Sequence, residues 1–183
     1  MGKALTLKVP AKVNIHLEVL GKRPDGYHEI VSIFQMVSLY DVLQISSLKY
    51  ENAFHLEGDF NIKESENLIT KTVHLFRKRT GLAGGIQIKV RKCIPPGAGL
   101  GGGSSNAAAT LKGLNLLLAA ELSPIRLKSL AAELGSDIPF FLTWPAAPVI
   151  FSTAGIISPE RFIKVRGFTR YSSEPLNMPF AIR

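Results

Sequence analysis

Alternation of apolar and polar positions predicts β-strands in the first half of the chain. Apolar residues recur at every second position in 5–9, 13–19 and 86–90, the period of a strand with one buried face. In the second segment the intervening positions are Lys12, Asn14, His16 and Glu18, so all four are expected on one face. Such a collection of polar side chains is typical of a functional surface.

Residues 30–45 are apolar without one clean period. Their β-branched content favours strands over a helix. A turn at Tyr40-Asp41 is expected to divide this stretch into two strands.

Three segments show helical signals. The first begins at a Ser65 cap and continues through Lys78, with Gly81 ending it. The second, residues 104–121, is rich in Ala and Leu, which favour helix. The third starts at Ser123-Pro124 and is stopped by Gly135.

The pattern changes after Leu142. Residues 143–183 hold five of the eleven prolines and show no sustained periodicity beyond 149–151 and 162–165. The sequence therefore predicts a folded part over residues 1–142 and a poorly ordered tail over 143–183.

Composition excludes several classes of protein. With 46% hydrophobic and 20% charged residues, the 183-residue chain is expected to be globular rather than disordered. A single cysteine, Cys93, excludes a disulfide scaffold and favours a reducing compartment. No apolar run is long enough for a bilayer, and no signal or transit peptide is expected. These features predict a cytoplasmic protein without a membrane partner.

The net charge of +8 suggests an acidic ligand, a nucleotide or a nucleic acid. Charge alone does not choose among them.

A glycine-rich loop, Pro95–Asn106, lies between a predicted strand and a predicted helix. It holds five glycines in the seven residues 97–103. Such a loop can turn its amide N–H groups towards a ligand, and the helix directs its positive dipole end at the same point. A chain of phosphates is the expected ligand, with the Ser104 and Ser105 hydroxyls as further donors or as groups reaching a phosphate-bound Mg²⁺.

Other glycine-loop proteins fit the sequence less well. Gly97, Gly99 and Gly102 satisfy the spacing G-x-G-x-x-G, but the loop is not in the first strand–helix unit and no acidic residue follows at a strand end. The loop lacks the Gly-Lys-Ser/Thr ending of a P-loop. The chain has none of the H-R-D or D-F-G motifs of protein kinases.

The loop resembles the phosphate loop of the GHMP kinase superfamily, P-x-x-x-G-L-G-G-G-S-S. Two further blocks share the resemblance in the same order: Pro10–Asn14 with Arg23–Glu29, and Gly135–Phe141. The resemblance covers about residues 3–142. It implies the α+β fold of the GHMP kinase amino-terminal domain, similar to the second domain of ribosomal protein S5, with the carboxy-terminal domain absent or replaced.

The resemblance also implies roles for individual residues. Lys12 and Asp137 are the implied catalytic pair, and Asn14, Tyr27 and His28 line the substrate side. Asn67 is the implied position near the adenine. The implied ATP-phosphate loop consists of Pro95, Pro96, Gly97, Ala98, Gly99, Leu100, Gly101, Gly102, Gly103, Ser104 and Ser105. ATP and Mg²⁺ are implied, and the metal ligands stay open.

The implied reaction is the ATP-dependent phosphorylation of the 2-hydroxyl of 4-diphosphocytidyl-2-C-methyl-D-erythritol, in the non-mevalonate isoprenoid pathway. A carboxylate such as Asp137 can accept the hydroxyl proton, and a lysine such as Lys12 can stabilise the developing charge. On residue type alone, Asp137 as a helix cap and Lys12 as an exposed strand lysine stay open.

Alternative functions follow from the tail. The loss of family pattern after Leu142 suggests a truncated or frameshifted gene product, which would be a catalytically dead nucleotide-binding fragment. An RNA-binding module is disfavoured, because only +5 of the charge lies in the family-like part. A small-molecule substrate and no nucleic-acid partner are therefore expected, and the oligomeric state stays open.

Overall fold

A computed structural model describes residues 4–22, 24, 28–50, 52–143, 149–152 and 155–157. The elements follow the predicted α+β class. They are β1 Ala4–Lys22, β2 His28–Leu48, β3 Phe54–Gly58, a 3₁₀ turn Glu64–Glu66, α1 Leu68–Thr80, β4 Gly85–Arg91, α2 Gly102–Leu117, α3 Pro124–Leu134, α4 Ile138–Phe141, β5 Val149–Ser152 and β6 Gly155–Ile157.

The sheet is organised around β2. One edge of β2 pairs with β1 along nearly its whole length. Its other edge pairs with β4 over residues 42–48 and with β5 over residues 31–34. These pairings are antiparallel, whereas β3 joins β4 in parallel. In the described sheet, β2 therefore pairs with three strands, β1, β4 and β5.

β2 is continuous through the position where a turn was expected, so the predicted turn at Tyr40-Asp41 is wrong. Pro10 pairs with Tyr40 but Ala11 pairs with Val37. The ladder therefore accommodates two extra residues of β2 as a bulge, which bends the strand without ending it.

The second half of β1 departs from the half-buried strand that alternation predicts. The side chains of Val13, Ile15, Leu17 and Val19 are 36–59% exposed, whereas Lys12 is buried. The ladder shifts register between Asn14 and His16, which interrupts the alternation of faces. The described elements leave this apolar half of β1 uncovered.

The core lies between the other half of the sheet and the helices. Leu43 and Ile45 of β2 and Ile86 and Ile88 of β4 are fully buried against the apolar sides of the helices. Phe140 of α4 meets Phe34 of β2 edge to face, with ring centroids 5.1 Å apart. This contact fixes α4 beside the middle of β2.

The helix ends follow local sequence rules with one correction. α1 begins at Leu68 because the side chain of Asn67 accepts a hydrogen bond from the Ile69 amide at 2.9 Å. The expected cap, Ser65, lies instead in the preceding 3₁₀ turn. Gly81 ends α1 with φ 72°, as predicted.

The other two long helices are also present. α3 has the Ser123 cap and the Gly135 end that the sequence predicts. α2 begins at Gly102, inside the glycine loop, and ends at Leu117 rather than at Glu121. Ala119 and Glu121 have positive φ, which ends the helix early.

Most of the tail expectation lies outside the described residues. Within residues 143–183 the structure describes Thr143, β5 and β6, and β5 pairs with Val31–Phe34 of β2. The division at residue 142 stays a prediction. In the described part of the chain, no helix is both long and apolar enough to cross a membrane.

The corrected cap gives a stability prediction. Asn67→Ala removes the acceptor for the Ile69 amide, and we expect it to lower the free energy of unfolding by about 1 kcal/mol. Ser65→Ala, the control, should change it by less than about 0.5 kcal/mol. Urea unfolding monitored by circular dichroism measures the free energy of unfolding of both variants. A larger loss for Ser65→Ala than for Asn67→Ala would assign the cap to Ser65.

Candidate active site

The glycine loop connects β4 to α2 and has an open side. Gly97 and Gly99 adopt φ of 73° and 71°, conformations that other residues rarely adopt. A Cβ atom added at either position would meet no other atom within 4 Å. A ligand can therefore approach the loop backbone here without displacing protein atoms.

The opposite side of the loop is closely packed. A Cβ at Gly101 would lie 2.8 Å from the Phe141 ring and 3.1 Å from Cγ of Lys12. The Lys12 amide donates to the Leu100 carbonyl at 2.9 Å. The loop thus lies directly against β1 and α4, beside the predicted catalytic lysine.

The start of α2 is arranged for an anion. Gly101 provides no side-chain cap, and the first turn of α2 holds no acidic residue. The first amides of a helix lack intrahelical acceptors and carry the positive end of its dipole. These donors are therefore suited to a phosphate placed at the loop.

The two loop serines differ in position. Ser105 is buried and its hydroxyl donates to the Pro10 carbonyl at 2.6 Å, so it ties α2 to β1. This differs from the expectation that its hydroxyl reaches the phosphates. Ser104 is partly exposed.

Lys12 and Asp137 come together from distant parts of the sequence. Nζ of Lys12 lies 3.7 Å from Oδ2 of Asp137, and the two side chains are 7% and 32% exposed. Nζ of Lys12 also lies 4.5 Å from the centroid of the Phe34 ring. Asp137 directly precedes α4 but makes no side-chain cap. Its carboxylate is therefore not engaged in capping and faces the lysine at a partly open position.

A relay of polar side chains orients Lys12. Its Nζ donates to Oδ1 of Asn14 at 2.6 Å, and Nδ2 of Asn14 donates to Oγ of Ser32 at 2.8 Å. The Ser32 hydroxyl donates its single proton to the His16 carbonyl at 2.6 Å, so it can only accept from Asn14. Ser32 thereby sets which end of the Asn14 amide faces Lys12.

The remaining predicted residues are placed separately. His28 begins β2 as an exposed residue opposite Lys22. No hydrogen bond of the described residues links it to Lys12 or Asp137. Asn67 is buried and engaged as the α1 cap. Tyr27 lies outside the described residues.

Sequence reasoning missed three buried residues of β2: Ser32, Phe34 and Asp41. Phe34 and Ser32 contact the Lys12 and Asn14 side chains, and Asp41 binds the segment that leads into the loop. Ser32 and Phe34 lie in a largely apolar stretch, and Asp41 was expected only as part of a turn. The signal available in the sequence was a polar residue within a largely apolar stretch.

The part of the chain that the structure describes has no cluster of three or more His, Cys, Asp or Glu side chains suited to a metal. The site instead has the buried Lys12 ammonium and the Asp137 carboxylate beside loop backbone that a ligand can approach. This arrangement can bind a polyphosphate and hold a proton acceptor near its end.

Comparison with known proteins finds a family model that matches part of the chain. Residues 67–143 match the GHMP kinases N terminal domain. The chain is 50% identical over 143 residues to the 4-diphosphocytidyl-2-C-methyl-D-erythritol kinase of Prochlorococcus marinus strain MIT 9215, covering 77% of this chain and 46% of the relative.

A second relative extends the similarity. The kinase of the same name from Methylacidiphilum infernorum isolate V4 is 42% identical over 178 residues, covering 95% of this chain and 61% of the relative. That alignment continues beyond Leu142.

A solved structure is also similar. The crystal structure of a 4-(cytidine 5'-diphospho)-2C-methyl-D-erythritol kinase superposes with a TM-score of 0.69 at 38% identity, covering 82% of this chain and 53% of the other. The chain thus spans about half the length of the crystallised kinase and of the Prochlorococcus relative. Residues 67–143 therefore match the N-terminal domain of the GHMP kinases, and the described fold is similar to that of the crystallised kinase.

Proposed function

We propose that this chain carries out the ATP-dependent phosphorylation of the 2-hydroxyl of 4-diphosphocytidyl-2-C-methyl-D-erythritol. The observation that carries the proposal is the ion pair of Lys12 and Asp137, 3.7 Å apart, beside a glycine loop whose outer side is open. The proposed substrate is the one in the names of the two relatives.

Asp137 acts as the general base in this proposal. A hydroxyl is a weak nucleophile, and a carboxylate within reach can accept its proton as the phosphoryl group is transferred. The Asp137 side chain is one-third exposed, so a substrate can reach it. Ser136 donates a hydroxyl to its other oxygen at 3.3 Å, which helps to keep Oδ2 facing Lys12.

Lys12 stabilises negative charge as it develops. Burial strengthens the interaction of its ammonium with nearby anions, because water screens it less. Asn14 and Phe34 hold the ammonium in place, which limits the reorganisation needed during the reaction. Most of the catalysis is then positioning, as expected for phosphoryl transfer through a loose transition state.

The loop amides bind the phosphates of ATP. Gly97 and Gly99 offer backbone that a ligand can approach, and the uncapped start of α2 offers further amides. Mg²⁺, when bound with ATP, would neutralise part of the phosphate charge, and the partly exposed Ser104 hydroxyl would be a candidate to hold it. Asn67 would lie near the adenine, while Asn14, Tyr27 and His28 would face the cytidyl substrate.

A second function is favoured by one observation. Because the chain spans about half the length of its Prochlorococcus relative, the second hypothesis is that it supplies only part of the substrate site. It would then be a nucleotide-binding fragment without turnover. ADP release that depends on the cytidyl substrate supports the kinase, whereas ATP binding by calorimetry without ADP release supports the fragment. In both cases we expect the protein in the cytoplasm.

Replacing the base tests the mechanism. Asp137→Asn keeps the shape of the side chain but cannot accept the proton, so kcat should fall by about 10²–10⁴. The dissociation constant for ATP should stay within about threefold, because the loop amides are unchanged. Asp59→Asn, which alters an exposed carboxylate, is the matched control. Full turnover by Asp137→Asn in the coupled ADP assay would remove Asp137 from the mechanism.

Obstructing the open side of the loop tests ATP binding. Gly99→Val forces a β-branched residue into positive φ and fills the space in front of the amides, so the dissociation constant for ATP should rise about tenfold or more. Gly21→Val adds the same side chain where φ is not positive and no atom lies within 4 Å, and should bind ATP normally. Equal ATP affinities of the two variants in calorimetry would place the nucleotide elsewhere.

The relay to Lys12 gives a further prediction. Ser32→Ala removes the hydroxyl that fixes the Asn14 amide, so kcat should fall about tenfold while the dissociation constant for ATP changes little. Ser32→Thr keeps the hydroxyl and should retain more of the turnover. A loss of ATP binding that parallels the loss of kcat would argue against a role limited to Lys12.

A further inference from the structure

Asp41 is a buried carboxylate that the proposed mechanism does not use. It lies in the middle of β2 and is fully buried. Among the described residues it is the only buried acidic side chain. Burial of a carboxylate lowers stability unless both oxygens are paired and hydrogen-bonded. The partners of Asp41 therefore indicate which segments of the chain it positions.

Both oxygens of Asp41 are fully engaged. Oδ1 accepts hydrogen bonds from the backbone amides of Cys93 and Ile94, at 2.7 and 2.8 Å. Oδ2 accepts from Nδ2 of Asn106 at 3.0 Å and from Nζ of Lys92. One side chain therefore binds four donors from outside its own strand.

These donors flank the glycine loop. Cys93 and Ile94 directly precede Pro95, where the implied ATP-phosphate loop of residues 95–105 begins, and Asn106 lies in α2 directly after its last residue. A single carboxylate thus joins the chain before the loop to the chain after it. The span between these two tethers is the glycine-rich segment itself.

The same carboxylate relates the loop to the catalytic lysine. Asp41 pairs with Val9 across the β1–β2 ladder, next to Pro10, whose carbonyl accepts the Ser105 hydroxyl. Lys12 follows two residues later on β1. The position of the loop relative to Lys12 is therefore set through β2 as well as through the Lys12–Leu100 backbone bond.

Lys92 makes the carboxylate compatible with an anionic ligand. A Cβ at Gly102, the first residue of α2, would lie 3.3 Å from Nζ of Lys92. The ammonium is thus close to both the Asp41 carboxylate and the first residue of the helix. Its charge offsets that of Asp41, which would otherwise repel a phosphate bound there.

We propose that Asp41 is a positioning residue of the phosphate loop: without touching the nucleotide, it holds both ends of the loop in the conformation that binds the ATP phosphates. The proposal rests on the proposed function of the loop. A segment with five glycines has much conformational freedom, and fixing it before binding removes an entropic cost from the affinity.

The test compares Asp41→Asn with the exposed control Asp59→Asn. The amide has one acceptor oxygen in place of two and no negative charge, so it cannot accept from Lys92 while also accepting from the two backbone amides, and the ion pair with Lys92 is lost. We expect the dissociation constant for ATP in calorimetry to rise about tenfold. Amide hydrogen exchange should speed up in residues 95–105 but not in α1. Unchanged ATP affinity, or exchange that speeds up equally in α1, overturns the proposal.

A second variant covers the case in which Asp41→Asn does not fold. Asn106→Ala removes only the tether after the loop and leaves Asp41 paired with Lys92. It should weaken ATP binding several-fold and increase exchange in 95–105, and wild-type values for both overturn the proposal. If the unaltered chain binds no ATP, the proposed function fails, while the exchange comparison still decides whether Asp41 holds the loop.

Discussion

The long antiparallel pairing of β1 with β2 is the constraint on which the site depends. β1 supplies Lys12 and Asn14, and β2 supplies the residues that hold them. The loop is attached to the same pair of strands through the Leu100 and Pro10 carbonyls. A change in strand register would therefore move the lysine, its supports and the loop together, because one slipped residue turns every side chain to the opposite face.

Three buried polar side chains in this pair of strands lower the stability of the fold but fix the positions of the groups in the site. Lys12, Ser32 and Asp41 are nearly or fully buried, and each has at least one polar partner. Apolar residues of similar size could pack the same strands without desolvating charge. The polar residues instead hold the Lys12 ammonium, the Asn14 amide and the loop in one arrangement each, as the proposed phosphoryl transfer would require.

The sequence predicted those features that have local causes. The alternation in 86–90 and the cap and glycine signals of α3 gave elements that the structure contains. The bulge in β2 was read as a turn because the residues at Tyr40-Asp41 suit either, and only the pairing with β1 distinguishes them. The exposed apolar residues of β1 were expected to be half-buried because alternation shows which side chains share a face but not what covers that face.

The residues of the candidate site likewise fall into those that the sequence predicted and those that it did not. The glycine loop was visible as a motif, and the resemblance brought Lys12 and Asp137 together before any geometry was known. Ser32 and Asp41 were missed because their partners lie far along the chain, as far as Asn106 for Asp41. No local pattern reports such partners. A polar residue within a strongly apolar strand was the signal to follow.

The most direct measurement of the central claim is a crystal structure of this chain with a non-hydrolysable ATP analogue. The account predicts the triphosphate against the amides of Gly97–Gly103, with its terminal phosphate facing Lys12 and Asp137. An analogue bound away from that loop, or a terminal phosphate directed away from the Lys12–Asp137 pair, would contradict it.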